Sequence, residues 1–391
     1  MAHSPPRKKI MFHVQHLLGI GHLERARRLT RYLEEAGMNV TIVSGGMPHP
    51  DADAQNSKVI QLSPARAADA AFSQLLDFNG NPISDDWRAQ RSTSLLKAFE
   101  DNAPDALIIE MFPFSRRQFS FELLPLLQAA RHRRPAPLVL CSVRDVLIPS
   151  AKAGRAAESL ARAQEYFDYI LVHGDAGFLR LDESFPLAAA LGDKIIYTGY
   201  VTARAPAALV NDLGNNEVII SAGGGAVGEA LLTTALKARA FSRMAGNRLW
   251  RVLVGANAPE GQLQALRKIA PEGVWVEQAR PEFPQMLLNC VCSISQGGYN
   301  TVMDILQAKA AAQTPAVIVP FATEREQEQT VRATALAKAG LAVVLPEARL
   351  NPASLAAAVD EAISHKSRPC QMPDLNGGVT TAHIIKEKLN V

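Results

Sequence analysis

Short apolar segments rich in valine and isoleucine alternate with longer segments of helical periodicity along the chain. Strands that are apolar nearly throughout occur in parallel sheets covered on both faces, so this order predicts α/β domains with open, doubly wound sheets. In the first half, the predicted strands are Ile10–Val14, Asn39–Ser44, Ala106–Glu110, Leu138–Val143, Tyr169–His173 and Ile195–Thr198. The predicted helices between them are Leu23–Ala36, Leu95–Asn102, Phe119–His132 and Ala153–Phe167.

The same alternation begins again after Thr202–Asn216, a segment rich in Ala, Pro, Asn and Gly that is typical of a linker. The strands predicted beyond it are Glu217–Ser221, Trp250–Gly255, Val274–Glu277, Val291–Ser295, Pro315–Pro320 and Ala342–Leu345. The predicted helices are Gly228–Ala245, Gln262–Ile269, Phe283–Leu288, Asn300–Ala311, Glu326–Lys338 and Asn351–His365. We therefore expect two Rossmann-like domains, at residues 1–203 and 204–370, and a C-terminal helix within 371–391 that crosses back to the first domain.

One long segment departs from this pattern. Met47–Trp87 has no clean periodicity and carries many polar and turn residues. We expect it to form a long excursion from the first sheet, of the kind that often carries function.

Composition and charge narrow the class of protein. The 391 residues are 48% hydrophobic and 20% charged, as in a well-packed globular protein, and the net charge of +3 does not favour nucleic acid as a partner. The polar N-terminus and the short apolar runs predict neither a secretory signal nor a membrane span, so we expect a cytoplasmic protein. The basic clusters Arg7–Lys9, Arg116–Arg117 and Arg131–Arg134 suit solvated faces, and a contact with sugar phosphate or with anionic lipid at the inner face of the membrane stays open. The four scattered cysteines form neither a disulfide framework nor a zinc site, and no other metal site is predicted.

Two glycine-rich turns follow the first predicted strand of each domain. They are Leu18–His22 and Gly223–Gly228, and each leads into a predicted helix. Glycines let the backbone approach a ligand closely, and a helix N-terminus offers N–H groups to an anion. Facing each other across a central cleft, the two turns would suit a diphosphate and a sugar, so Gly21, Gly224 and Gly225 are candidate binding residues. His22, in the first turn of a helix, is a candidate general base, and the alternative is a capping or packing histidine.

A third segment, Ser295–Gln329, carries the densest set of candidate binding residues. A strand ends at Ser295, two glycines follow, and a helix begins whose first turn can present N–H groups to phosphate oxygens. Asp304, one turn further along, can accept hydrogen bonds from ribose hydroxyls. The next strand leads to Phe321 and to the pair Glu326 and Gln327, which suits sugar hydroxyls.

These motifs resemble the nucleotide-sugar site of GT-B glycosyltransferases, in particular the family 28 type that forms lipid II, and also that of the small-molecule UDP-glycosyltransferases. The resemblance implies a UDP-sugar donor, no cofactor, and an acceptor that includes lipid-linked or cell-envelope glycan precursors as one possibility. Carried over residue by residue, it assigns the diphosphate to the turn, ribose to Asp304 and the sugar to Glu326 and Gln327. The turn comprises Gln296, Gly297, Gly298, Tyr299, Asn300 and Thr301. Gln296 departs from the pattern, because the small-molecule enzymes have histidine there.

Together these features predict an inverting, metal-independent hexosyltransferase in which His22 deprotonates the acceptor hydroxyl. Glu110, Arg144 and Asp145 lie at the ends of predicted strands of the first domain and are candidate acceptor residues. The hydrolases of UDP-sugars are the nearest alternative, because they also have Gly-x-Gly-His followed by a basic residue, here Arg25. A UDP-sugar 2-epimerase and a non-catalytic nucleotide-sugar-binding protein remain open. The donor sugar, the acceptor and the oligomeric state are not assigned.

Overall fold

The computed structural model describes residues 7–17, 19–49, 58–69, 74–148, 154–203, 212–223, 228–255, 258–323, 327–366 and 369–390. Contacts along the chain divide it into two compact units. Unit 1 comprises Met1–Val201 with Asn376–Val391, and unit 2 comprises Thr202–Leu375.

Unit 1 contains a seven-stranded parallel sheet in the order β3-β2-β1-β6-β7-β8-β9. Its strands are β1 Lys9–Val14, β2 Asn39–Ser44, β3 Lys58–Gln61, β6 Ala106–Glu110, β7 Leu138–Arg144, β8 Tyr169–His173 and β9 Ile195–Tyr197. Its helices are α1 Gly21–Glu35, α2 Asp85–Asn102, α3 Ser120–His132, α4 Arg155–Tyr166 and α11 Gly377–Lys388. Two hydrophobic clusters form the core, and each draws on several strands and on helices of unit 1. The doubly wound architecture predicted from the sequence is confirmed.

The segment Met47–Trp87 is more regular than its sequence predicts. It contributes β3, which adds a parallel strand to the edge of the main sheet, and the short antiparallel strands β4 Arg66–Ala67 and β5 Leu75–Leu76. Its last residues belong to α2, which begins ten residues before the predicted Leu95 and is capped by Ser84 through a 3.1 Å bond from Trp87 N. The expectation of a long irregular excursion was therefore wrong for the described part of this segment, because such short strands show too few residues for a periodicity of two.

The C-terminal helix α11 belongs to unit 1, although it follows unit 2 in the sequence. It packs beside α1, where Gly378 lies so close to the Tyr32 ring that a side chain at this position would overlap with the ring. Gly377 N donates to Tyr200 O at 3.0 Å, and Ile385 is fully buried in the core. Backbone contact and apolar burial therefore fix both ends of this helix in unit 1.

Unit 2 contains a six-stranded parallel sheet in the order β12-β11-β10-β13-β14-β15. Its strands are β10 Glu217–Ser221, β11 Leu249–Val254, β12 Val274–Gln278, β13 Cys292–Ser295, β14 Ala316–Ile318 and β15 Val343–Val344. Its helices are α5 Glu229–Ala238, α6 Gln262–Ile269, α7 Phe283–Asn289, α8 Tyr299–Ala312, α9 Glu328–Lys338 and α10 Pro352–Ser364. The predicted helix Gly228–Ala245 is shorter in the structure, because α5 gives way to the 3-10 turn Arg239–Phe241. In the described part of the chain, no helix has both the length and the apolar composition that crossing a membrane requires.

Candidate active site

The first candidate site lies in unit 1 where the strand order reverses, between β1 and β6. Ligands of doubly wound sheets bind at such a point, beyond the carboxyl ends of the strands. The first turn of α1 carries His22, and β6 ends at Glu110. The structure brings these two residues together, with His22 Nδ1 2.9 Å from Glu110 Oε1.

One nitrogen of the His22 imidazole forms a hydrogen bond with Glu110, and the other is available to accept a proton. Its side chain is 14% exposed, whereas Glu110 is fully buried. Because an ionised carboxylate only accepts hydrogen bonds, Nδ1 carries the proton that is donated to Glu110. The lone pair is then on Nε2, to which no described residue forms a hydrogen bond. This arrangement is suited to a general base whose orientation is set by a carboxylate.

Two further side chains hold the Glu110 carboxylate. Arg25 NH2, from the next turn of α1, contacts Oε1, and Ser142 Oγ donates to Oε2 at 2.8 Å. Burial is the largest influence and raises the pKa of Glu110 overall, while the Arg25 charge and the Ser142 hydrogen bond act in the opposite direction. The two contacts therefore favour the ionised carboxylate that the imidazole requires.

A buried chain of hydrogen bonds continues from Ser142 across the sheet. Ser142 Oγ lies 3.0 Å from His173 Nε2, and His173 Nδ1 lies 2.9 Å from Thr198 Oγ1. Since Ser142 donates its one proton to Glu110, it accepts from His173 Nε2–H. Ser142, His173 and Thr198 are not predicted as site residues from the sequence. The signal that could have shown them is a polar residue at or near the carboxyl end of successive apolar strands.

Burial and the surrounding charges favour the neutral form of the His22 ring. Burial lowers the pKa of His22 well below its usual value, and the nearby charges of Arg116, Arg144 and Arg25 lower it further. A neutral imidazole at neutral pH is the form that can accept a proton. Arg144, a predicted acceptor residue, therefore lies close enough to His22 to affect its ionisation.

The other two candidates of unit 1 have different surroundings. Gly21 is the exposed first residue of α1. Asp145 is fully buried, and its carboxylate accepts from Tyr200 Oη at 3.1 Å and from Val146 N at 2.9 Å. These contacts anchor the backbone after β7, so a role for Asp145 in acceptor binding stays a prediction.

The second candidate site lies at the corresponding reversal of strand order in unit 2, between β10 and β13. The turn Gln296–Gly298 connects β13 to α8, and two side chains of α9 form hydrogen bonds with the backbone of its central residue, Gly297. Gly297 N donates to Gln329 Oε1 at 2.9 Å, and Arg332 NH1 donates to Gly297 O at 2.7 Å. Gln329 Oε1 also accepts from Phe321 N at 3.0 Å. One glutamine side chain, whose role sequence analysis missed, therefore joins the loops that follow β13 and β14.

Tyr299 supports the turn from inside the unit. Its side chain is 4% exposed, and the Arg332 guanidinium lies 5.4 Å from the centre of its ring. Arg332 is itself buried and pairs with Glu328 at 2.8 Å. Tyr299 thus packs beneath the turn that was predicted to bind diphosphate.

The second glycine loop meets this turn. Gly228, at φ +124°, has a conformation that side chains rarely adopt, and a Cβ there would lie 2.4 Å from Ala222 Cβ and 3.4 Å from Gln296 Nε2. A Cβ at Gly223 would lie 3.7 Å from Thr301 Oγ1. Both ends of the loop therefore adjoin the start of α8. The predicted residues Gly224 and Gly225 lie outside the described residues.

The first turn of α8 offers backbone donors. Gly298 is the N-cap, and none of the described side chains caps the helix. Asn300 and Thr301 follow in the first turn, and Asp304 lies one turn further, 7% exposed. Phe321 is half-buried, Gln327 is exposed and donates to Thr323 O at 2.8 Å, and Glu326 lies outside the described residues. Within the described ranges, no group of three His, Cys, Asp or Glu side chains could hold a metal ion.

The second candidate site lies in a part of the chain that matches a known protein family. Residues 263–387 match the glycosyltransferase family 28 C-terminal domain. This range contains α8, α9 and the turn between β13 and α8. The chain has the GT-B fold, and its C-terminal part matches a glycosyltransferase domain. The family match does not include the Gly223–Gly228 loop or His22, so their roles stay predictions.

Solved structures of glycosyltransferases share the fold of this chain over nearly its whole length. Acinetobacter baumannii MurG has a TM-score of 0.56 and 15% identity, covering 98% of this chain and 100% of that chain. The Streptomyces sp. SF2575 glycosyltransferase SsfS6, complexed with thymidine diphosphate, has a TM-score of 0.59 and 17% identity, with coverage of 98% and 100%. LpCGTa in complex with UDP has a TM-score of 0.58 and 14% identity, with coverage of 98% and 95%.

Proposed function

We propose that this glycosyltransferase transfers a sugar from UDP to an acceptor hydroxyl, with inversion at the anomeric carbon. The observation that carries the proposal is the 2.9 Å contact between His22 Nδ1 and Glu110, because it leaves Nε2 as a base. Unit 1 supplies this base, and the turn at the start of α8 binds the donor diphosphate.

The reaction is a single displacement. The acceptor oxygen forms a bond to the anomeric carbon while the bond to the diphosphate oxygen breaks, and His22 Nε2 takes the hydroxyl proton. Glu110 stabilises the resulting imidazolium through Nδ1. Because the nucleophile attacks opposite the leaving group in one step, the product is inverted.

The leaving diphosphate gains negative charge as the bond breaks. The N–H groups of the first turn of α8 and the positive end of its dipole can stabilise this charge. The ends of the Gly223–Gly228 loop adjoin this turn and extend the backbone surface available to the phosphates. These donors support a reaction that does not depend on a metal ion. The solved structures of LpCGTa with UDP and of SsfS6 with thymidine diphosphate support a nucleoside diphosphate as the ligand.

The identity of the nucleotide can be tested by thermal shift. Full-length protein is screened against UDP-, GDP- and TDP-sugars, because a ligand that binds only the folded state raises its apparent stability. We expect UDP-sugars to give the largest shift. A larger shift with GDP- or TDP-sugars would replace UDP as the proposed nucleotide.

Transfer is distinguished from hydrolysis by supplying the UDP-sugar alone. A transferase without its acceptor releases free sugar slowly, and addition of acceptor accelerates the release of UDP. Rapid stoichiometric release of free sugar from the UDP-sugar alone would show that water is the natural acceptor. Conversion of the sugar without release of UDP would instead indicate an epimerase.

A further inference from the structure

Four buried side chains form a hydrogen-bonded chain that leads away from His22 along the carboxyl edge of the sheet in unit 1. Glu110 ends β6, Ser142 lies in β7, His173 ends β8 and Thr198 directly follows β9. These four strands are neighbours in the sheet. All four side chains belong to residues that are at most 1% exposed, so bulk water does not supply their hydrogen bonds.

The Ser142 hydroxyl can be hydrogen-bonded in two directions. Its oxygen lies 2.8 Å from Glu110 Oε2 and 3.0 Å from His173 Nε2, and no other described atom forms a hydrogen bond with it. A hydroxyl has one proton to donate. Ser142 therefore donates to Glu110 and accepts from His173, or it donates to His173 and accepts from a protonated Glu110.

The His173 ring links the direction at Ser142 to the direction at Thr198. Burial lowers the pKa of His173 well below its usual value, and the Arg25 charge lowers it further, so the ring is neutral and carries one proton. Nε2 faces Ser142, and Nδ1 lies 2.9 Å from Thr198 Oγ1. When Nε2 carries the proton, Nδ1 accepts, and when Nδ1 carries it, Nε2 accepts.

Thr198 has an acceptor for its proton in both directions. Its hydroxyl oxygen lies 2.9 Å from His173 Nδ1 and 2.9 Å from Gly199 O, and Val172 O is further away at 3.3 Å. The proton can point to Nδ1, or it can rotate to the Gly199 carbonyl and leave the oxygen to accept from Nδ1–H. Neither direction leaves a buried hydroxyl proton without an acceptor.

The chain therefore has two complete arrangements. In the first, Thr198 donates to His173 and His173 donates to Ser142. Ser142 then donates to an ionised Glu110. In the second, a proton on Glu110 Oε2 is donated to Ser142, and each later bond is reversed as far as Gly199 O. The second arrangement contains one proton more, on Glu110 Oε2, while both hydroxyl protons rotate and the ring proton is on Nδ1 instead of Nε2.

We propose that His173 is a positioning residue for the proposed base, and that its tautomer is coupled to the ionisation of Glu110. The ring carries its proton on Nε2 when Glu110 is ionised and on Nδ1 when Glu110 Oε2 is protonated. In the first arrangement three donors in series point toward the carboxylate, and such bonds strengthen one another. This stabilises the negative charge that the His22 imidazolium requires during transfer. The catalytic role rests on the proposed function, whereas the coupling rests on the chain of hydrogen bonds.

The experiment measures the tautomer of His173 in the full-length protein at neutral pH, without donor or acceptor. Nitrogen NMR of imidazole-labelled protein distinguishes both neutral tautomers and the imidazolium, and His173→Gln assigns the signals. We expect Nε2–H in the wild type. Glu110→Gln should convert it to Nδ1–H, with exchange of the two ring-nitrogen shifts. Its amide oxygen faces the donors of His22 and Arg25, so its NH2 group faces Ser142 and donates as a protonated carboxyl would.

Ser142→Ala tests the same coupling with the native Glu110 in place. It removes the oxygen that accepts from Nε2–H, whereas Thr198 can still accept from Nδ1–H, so His173 should move toward the Nδ1–H tautomer. Glu122→Gln is the matched control, because Glu122 is also a fully buried carboxylate paired with an arginine. Its hydrogen bonds go to Arg91 and not to the chain, so the His173 tautomer should stay unchanged.

Four results would overturn the proposal. They are the absence of a change from Nε2–H to Nδ1–H in Glu110→Gln, an unchanged tautomer in Ser142→Ala, an equal change in Glu122→Gln, and a doubly protonated His173 in the wild type. An imidazolium donates from both nitrogens and has no tautomer to couple. Since no sugar is transferred in these measurements, a protein that shows the coupling but transfers no sugar would contradict the proposed function and leave the coupling intact.

Discussion

His22 and Glu110 are 88 positions apart in the sequence, and folding brings them to 2.9 Å. Residue chemistry alone predicted His22 as a base, because it follows a glycine turn at a helix start. It predicted Glu110 only as an acceptor residue, because the sequence shows that Glu110 ends a strand but not which side chain it faces. Arg91 is a similar case, since it is fully buried and paired with Glu122 at 2.7 Å, and nothing in its local sequence marks it.

At this scale the pH dependence of catalysis is a direct prediction. The base acts only when deprotonated, and the pKa of His22 in the free protein is lowered well below 6.5. Since kcat/KM reports ionisation of the free enzyme, it should be level from neutral pH down past 6.5 and decline only in more acidic solution. A pH profile with saturating UDP-sugar measures this, and an acid limb centred above pH 6.5 would contradict it.

At the scale of helices and strands, the sequence predicts one part of the site and does not predict another. Apolar strands followed by glycine turns predicted most strand bounds to within one or two residues, and both glycine turns lie where the strand order reverses. The side chains that support these turns were not predicted. Ser142 and Gln329 each act on a residue distant in sequence, and their contacts depend on strand order and helix rotation, which local periodicity does not contain.

Removal of the Ser142 hydroxyl tests the hydrogen bond that supports Glu110 in unit 1. Ser142→Ala loses the hydrogen bond that lowers the pKa of Glu110, so the carboxylate becomes protonated at higher pH. We expect the acid limb of kcat/KM to move to higher pH, with a loss of stability of about 1–3 kcal/mol from the lost hydrogen bond between Ser142 and buried His173. Ser94→Ala, an exposed hydroxyl on α2 that bonds only its own helix, is the control. A lower rate with an unmoved pH profile would show that Ser142 is purely structural.

Gln329 provides the corresponding test in unit 2. Gln329→Ala leaves Gly297 N and Phe321 N without their acceptor, so the turn before α8 should loosen. We expect UDP to bind roughly tenfold more weakly and the free energy of unfolding to fall by about 2 kcal/mol or more. Calorimetric titration of UDP measures the first and denaturant unfolding the second. Gln264→Ala, on the exposed face of α6, should change neither, and unchanged UDP affinity in Gln329→Ala would argue against this turn as the donor site.

The two units have the same architecture but differ in the histidines that they contain. Among its described residues, unit 1 buries four neutral histidines, with pKa values lowered to about 3 for His13, to about 4 for His16 and well below 6.5 for His22 and His173. Unit 2 contains one histidine, His365, which is the partly exposed C-cap residue of α10. The two sheets are predicted equally well from sequence, whereas the neutral state of the four histidines follows only from their burial.

Acid should therefore destabilise unit 1 selectively. Below pH 6.5 each buried histidine binds a proton in the unfolded state but not in the folded state, so stability present at pH 7.5 is lost as the pH falls, by about 1.4 kcal/mol per histidine at pH 5.5. The raised pKa values of Glu110 and Glu122 act in the opposite direction, but these two carboxyl groups are outnumbered by the four histidines.

Calorimetry at pH 7.5 and 5.5 checks this expectation. The transition of unit 1 is identified by the fluorescence of Trp87, which Trp87→Phe removes, while Trp250 and Trp275 report unit 2. The unit 1 transition should fall by several degrees more than that of unit 2. Equal shifts of both transitions would show that the buried histidines do not control acid stability.

The central claim, that His22 is the base for sugar transfer, is tested most directly by His22→Ala. UDP binding and transfer are measured on the same preparation, with His132→Ala, an exposed histidine at the end of α3, as the control. We predict that His22→Ala binds UDP as the wild type does and transfers sugar about 10²–10⁴-fold more slowly, while His132→Ala is unaffected. Transfer at the wild-type rate by His22→Ala would contradict the account.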